Sequence, residues 1–151
     1  MFMEISLHEG QTPEIWETNE EKQLTIAALK KKYLIIAKKQ FIRNPPMTVL
    51  NKDTNWPITL SNRVISEWRI KSRTRERILS IQLLNTTIEE AKFIKTIEDT
   101  KNTKGIESVS YFENTCKING KLFKINITVK KQKIPDRWFV YYYSATEFEI
   151  K

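Results

Sequence analysis

Residues 123–130 alternate without a break: Phe123, Ile125, Ile127 and Val129 are apolar, while Lys124, Asn126, Thr128 and Lys130 are polar. A period of two places the first set on one face of a β-strand and the second on the other. Upstream, Val109-Ser110-Tyr111-Phe112 and Cys116-Lys117-Ile118 read as the partner strand. Asn119-Gly120 joins the two and accepts the pair of positive φ angles that a type I′ hairpin turn requires. Beyond Pro135, Trp138 to Tyr143 reads as a third strand and Glu147-Phe148-Glu149-Ile150 as a fourth.

Ahead of these strands the period changes to that of a helix. Residues 20–41 carry Leu24, Ala28, Tyr33, Ile36 and Ala37, with Ile26 and Leu29 alongside, as one broad apolar stripe. Glu20-Glu21 at the start and Lys38-Lys39 at the end complement the helix dipole. Arg43-Asn44-Pro45-Pro46 ends the helix, because each proline restricts itself and the residue before it. Met47–Asn51 and Trp56–Leu60 are short extended pieces around a turn at Lys52–Asn55, and Pro57 predicts an edge strand or strap, not a central strand. Ser61 reads as the N-cap of a second helix begun by Val64, Ile65 and Trp68, with a break near Ser72–Thr74 and an apolar piece at Ile78–Leu84. Thr86-Thr87 before Glu89-Glu90 predicts a capping box that opens a helix carrying Ile88, Ala91, Ile94 and Ile97, closed by residues 101–105. Residues 1–19 are weakly patterned and read as an irregular arm, with Pro13 and Trp16 as anchors. Residues 20–151 read as one domain of α+β class, with N-terminal helices packed on a C-terminal four-stranded antiparallel sheet.

Charge narrows the partners. The chain has 26 Lys+Arg against 18 Asp+Glu, a net charge of +8, which suits a nucleic acid or an acidic protein, or else a solvated basic surface. Lys30-Lys31-Lys32 has the same two readings, a nucleic-acid contact or a solvated helix face. With only 3 glycines there is no Gly-rich loop to cradle a phosphate, which argues against P-loop ATPases, nucleotide-dependent kinases and dinucleotide-dependent oxidoreductases. Cys116 and His8 are the only residues of their kinds, so an intrachain disulfide and a cysteine-based zinc site are excluded. No metal or other cofactor is expected. A Ser–His–Asp or Cys–His catalytic set would have to use His8 from the arm, and Cys116 near the end of a strand reads as a core thiol. The start Met1-Phe2-Met3-Glu4 lacks the basic and apolar regions of a signal peptide, and no apolar run is long enough to span a bilayer. A cytoplasmic setting without a membrane partner is the expectation.

What remains is the polar face of the C-terminal strands. Lys124, Thr128 and Lys130 lie along it, Tyr111 and Tyr141 come from the neighbouring strands, and Ser144 and Thr146 follow the third strand's end. Arg63, Arg69, Lys71 and Arg73 lie in the basic 63–77 segment and are expected to border this face. Cations with interleaved rings suit RNA, the charges meeting phosphates and the rings stacking on unpaired bases. The same set suits metal-free RNA cleavage, which needs a base for the 2′-hydroxyl, an acid for the leaving oxygen and cations for the phosphorane. A lysine crowded by other cations has a lowered pKa and can act as that base. The competing reading is a solvated sheet face whose aromatics pack in the core.

Two stretches also carry a family resemblance. Thr48-Val49-Leu50-Asn51-Lys52-Asp53-Thr54-Asn55-Trp56-Pro57-Ile58-Thr59-Leu60-Ser61 resembles the opening motif of domains found in large polyvalent proteins of phages and mobile elements. Tyr111-Phe112, then Ile118–Lys130 and the closing aromatic strand at 138–148, are similar to the rest of that pattern, so the resemblance covers roughly residues 47–150. These domains are grouped with the Barnase–EndoU–colicin–RelE nucleases. The resemblance implies helices followed by a four-stranded antiparallel sheet and metal-independent endoribonuclease action by a toxin or effector. It further implies tRNA or mRNA as target and an immunity or antitoxin protein as a further partner. Relatives carry histidines where this chain has Ser110 and Ser144, and a glycine where it has Asn55. That departure implies either chemistry by Lys, Arg and Tyr, or an inactive nucleic-acid-binding or protein-interaction module of the same fold.

Overall fold

A computed structural model describes residues 12–99, 105–134 and 139–151; His8 and Trp138 lie outside them. In chain order the elements are β1 (Glu14–Ile15), α1 (Asn19–Lys22), α2 (Ile26–Phe41), β2 (Met47–Leu50), β3 (Pro57–Leu60), α3 (Arg63–Lys71) and α4 (Arg75–Leu79). A 3-10 turn (Ser80–Leu83) then leads to α5 (Leu84–Glu90), β4 (Lys92–Glu98), β5 (Ile106–Ile118), β6 (Lys121–Lys133) and β7 (Phe139–Ile150). The class is α+β as expected, but the described residues form one sheet of seven strands in the order β1-β5-β6-β7-β3-β2, with β4 also paired to β5.

The hairpin forms as the sequence dictates. β5 and β6 pair antiparallel from Ile118↔Lys121 to Ile106↔Gln132, and the turn residues Asn119 and Gly120 take φ of 53° and 78°. Phe123, Ile125, Ile127 and Val129 are buried, as are Phe112, Cys116 and Ile118 beside them. The helices cover this face with Leu29, Tyr33, Ala37, Phe41, Val64, Trp68, Ile78 and Leu79.

Five expectations are corrected. The helix expected over 20–41 is two: Thr18 caps α1 in a capping box with Glu21, and Thr25 caps α2 by accepting from the Ala28 N–H. Thr86 and Thr87 lie inside α5, which ends at Glu90. Phe93-Ile94-Lys95-Thr96-Ile97, rich in β-branched residues, is strand β4 paired to β5. The third and fourth strands are one strand, β7, bulged at Ser144, where the register steps from Thr128↔Ala145 to Val129↔Tyr143. Lastly, β3 is flanked by both β2 and β7; Pro57 is tolerated because it opens the strand and pairing with β7 involves only Ile58 and Thr59.

Two buried polar knots fix the connections. Asn51 is fully buried. Its amide donates to the Ile88 and Ala91 carbonyls at 2.8 and 2.9 Å, closing the end of α5, and its oxygen accepts from the Thr54 N–H and hydroxyl, both at 2.9 Å. Asn55 follows with φ of 59°, the conformation for which glycine and asparagine are favoured. In the second knot, Arg75 grips the Glu17 carboxylate through Nε at 3.0 Å and Nη2 at 2.7 Å, and also binds the Leu24 and Glu21 carbonyls. Glu17 in turn accepts from the Asn119 side chain at 2.8 Å, while its own N–H donates to Asn119. The hairpin turn is thereby tied to the N-terminal arm.

Both knots yield tests. Asn51→Ala removes the Asn51 donor from the Ala91 carbonyl, leaves the Ile88 carbonyl with the Ala91 N–H at 3.4 Å, and should lower unfolding free energy by roughly 2–4 kcal/mol in urea titration. The Arg75 hydrogen bond holds the Glu17 carboxyl below its ordinary value of 4.5 despite burial. Burial pushes the Glu21 carboxyl up, but bonds from the Thr18 N–H, Tyr33 and Lys32 outweigh it and leave it lowered too. Carboxyls depressed in the fold stabilise it above the unfolded value and lose that contribution as pH falls through the lower folded values. Melting temperature should therefore fall below pH 4.5. Arg75→Met should lower it more at about pH 7 than at about pH 3.5, because the unpaired Glu17 is charged only at the higher pH.

Candidate nucleic-acid interface on the open sheet face

The parity of β6 places Lys124, Asn126, Thr128 and Lys130 on the face that the helices leave uncovered. The register lays Tyr111 beside Thr128, Glu113 beside Asn126, and Tyr142 beside Lys130. From β4, Lys95 sits next to Tyr111, its Nζ 5.7 Å from the ring centroid. Tyr111 and Tyr142 lie on strands either side of β6 and one pleat apart, so their Cα atoms are about 12 Å from each other. Between and around them stand Thr128, Asn126 and the ammonium groups of Lys95 and Lys130, neither of which is in an ion pair among the described residues.

Lys124 is different. Its Nζ is 3.1 Å from Glu113 Oε1, and that hydrogen bond raises its pKa, with Glu149 adding to the effect. The lysine stays protonated and is a cation, not the base expected of a crowded lysine.

The other expected catalytic residues are elsewhere. Tyr141 points to the helix side, stacked on Trp56 with centroids 4.2 Å apart and planes 9° from parallel. Ser144 is the buried bulge residue, and its carbonyl accepts from Arg63 Nε at 3.2 Å. Thr146 is buried on the helix side in a knot around Glu67. That carboxylate accepts from Tyr143 at 2.9 Å, the Thr146 N–H at 3.0 Å and Arg77 at 3.2 Å, with Lys71 at 3.1 Å. Thr146 Oγ1 lies 2.6 Å from the Tyr143 hydroxyl, whose pKa burial drives far up. The structure thus brings together Lys124, Thr128, Lys130 and Tyr111, and separates them from Tyr141, Ser144 and Thr146.

Of the basic segment, only Lys71 reaches the open face's register, through Glu147 opposite Asn126. Arg63 reaches the β7 backbone, Lys71 bridges Glu67 and Glu147, and Arg69 and Arg73 are exposed on the helix side. Sequence reasoning missed Lys95 and Tyr142. The strand character of Phe93–Ile97 was the available signal for Lys95; nothing in the sequence announces the bulge that turns Tyr142 outward. Cys116 is fully buried, and burial pushes its thiol up to about 12. A thiol-specific reagent at about pH 8 should leave it unmodified in the native protein and label it on unfolding.

The domain covers one side of a long antiparallel hairpin with helices and leaves Tyr111, Tyr142, Lys95 and Lys130 on the other, together with Glu113, Glu147 and Glu149. The chain belongs to the large polyvalent protein-associated domain 3 family, whose model matches residues 25–141. The match reaches back over α2, outside the 47–150 stretch of the motif resemblance, and stops within β7. No curated protein and no solved structure matches the chain. Among the described residues no helix is long and apolar enough to cross a membrane.

Proposed function

We propose that the domain binds single-stranded RNA on the open face of its sheet, in the manner of an inactive relative of the Barnase–EndoU–colicin–RelE nucleases. The observation that carries this reading is the placement of Tyr111 and Tyr142 with Lys95 and Lys130 on the one sheet face the helices do not cover. Unpaired bases stack on the two rings, the ammonium groups meet the flanking phosphates, and the Thr128 hydroxyl beside Tyr111 and the Asn126 amide one pleat further along β6 engage ribose 2′-hydroxyls. A second reading, metal-independent cleavage, is favoured by one contact, Glu113 beside Lys124. There the carboxylate would take the 2′-hydroxyl proton and the lysine would stabilise the phosphorane.

Fluorescence anisotropy with an unstructured labelled RNA should show affinity falling steeply between about 50 and 200 mM salt. Joint Tyr111→Ala and Tyr142→Ala substitution removes two stacking platforms and should weaken binding by about a hundredfold, since each stacked base contributes roughly 1–3 kcal/mol, with the melting temperature unchanged. Equal affinity in the variant would reject the sheet face as the site. Incubation with tRNA and total RNA in EDTA should leave both intact. Fragments that disappear with Glu113→Gln would replace this reading with the second.

A further inference from the structure

The helix side carries a separate electropositive surface. From Lys22 to Lys52 the chain has eight cations and no acid, and Lys32 and Lys52 alone of these are in ion pairs among the described residues. Two of them, Lys30 and Lys31, line a groove of about 710 Å³ between α2 and α3 together with Arg69, Ser66 and the apolar Ala27, Leu34, Ile65 and Ile70. No carboxylate lines it. Lys30 Nζ bonds the Arg69 carbonyl at 2.7 Å, which holds the two walls together and leaves the exposed side chains of Lys31 and Arg69 on opposite sides. Two turns further along the same stripe of α2, Lys38 extends the row by about 10 Å from Lys31.

We propose that this groove grips the sugar-phosphate backbone of a double-helical segment, independently of the sheet face. Nothing in the groove can stack on an unpaired base, because no aromatic side chain lines it. Its cations therefore have only phosphates to recognise, and a duplex presents these without needing its bases opened. An acidic protein is the less suitable occupant, since the groove lacks the aromatic anchors on which protein interfaces depend and two of its three cations are lysines, which such interfaces disfavour.

The test uses the full chain and a labelled RNA duplex of about 16 base pairs, the span a duplex-binding domain covers. Lys31→Gln with Arg69→Gln should weaken duplex binding about tenfold and reduce the slope of log affinity against log salt by about two, as expected for two lost phosphate contacts. The Tyr111→Ala and Tyr142→Ala variant should bind the duplex as the wild type does, which separates this groove from the sheet-face reading. Three results would overturn the proposal: unchanged duplex affinity and salt slope in the glutamine variant, loss of duplex binding in the tyrosine variant instead, or displacement of the duplex by polyglutamate at equal charge concentration. The last would assign the groove to an acidic protein. Matching melting temperatures confirm that each variant is folded.

Discussion

A β-strand has two faces, and burying one leaves no choice about the other. Phe123, Ile125, Ile127 and Val129 fill the core under the helices, so every even-numbered side chain of β6 must face away from them. The positive-φ turn at Asn119-Gly120 fixes the partner register, and with it the position of Tyr111 beside Thr128. The arm reinforces this. Trp16 lies so close over Gly120 that an added Cβ would come within 3.0 Å of its ring, and Glu17 and Arg75 hold Asn119 from below. Slipping the hairpin by one residue would break all of these contacts and expose the apolar row.

The same parity explains how one residue rearranged the candidate site. Without the extra residue at Ser144, alternation from Glu149 back through Glu147 and Ala145 would turn Tyr143 and Tyr141 outward, alongside Lys130. The bulge inverts the order. Tyr143 enters the core to bond Glu67, Tyr141 stacks on Trp56, and Tyr142 takes the outer position. The strict alternation of β6 was legible because each of its residues obeys one rule. The bulge was not, because Tyr141-Tyr142-Tyr143 offers the same side chain in either parity and leaves the choice to tertiary contacts. β4 escaped for a related reason: Ile94 and Ile97 satisfy a helical spacing, and the edge of β5 decides that the segment is a strand.

Net charge proved a poor guide to free charge. Of the basic 63–77 segment, Lys71, Arg75 and Arg77 are committed to Glu67, Glu147 and Glu17, and Arg77 also lies 4.3 Å from the Phe148 ring centroid. A half-buried guanidinium in such a knot orders the fold and cannot also meet a phosphate without leaving its carboxylate unpaired, which is costly in a buried site. Among the described residues, Lys95 and Lys130 on the sheet and Lys31 and Arg69 between the helices are among the cations in no ion pair.

The motif that carries the family resemblance has a structural task. Asn51 and Thr54 close the end of α5, Asn55 supplies the left-handed residue where relatives have glycine, and the Asp53 carboxylate accepts from the Phe93 N–H at 2.8 Å to start β4. In that stretch Asn51, Asp53, Thr54 and Asn55 are each accounted for by a hydrogen bond or a φ angle, none by contact with the open face. The motif therefore speaks for architecture.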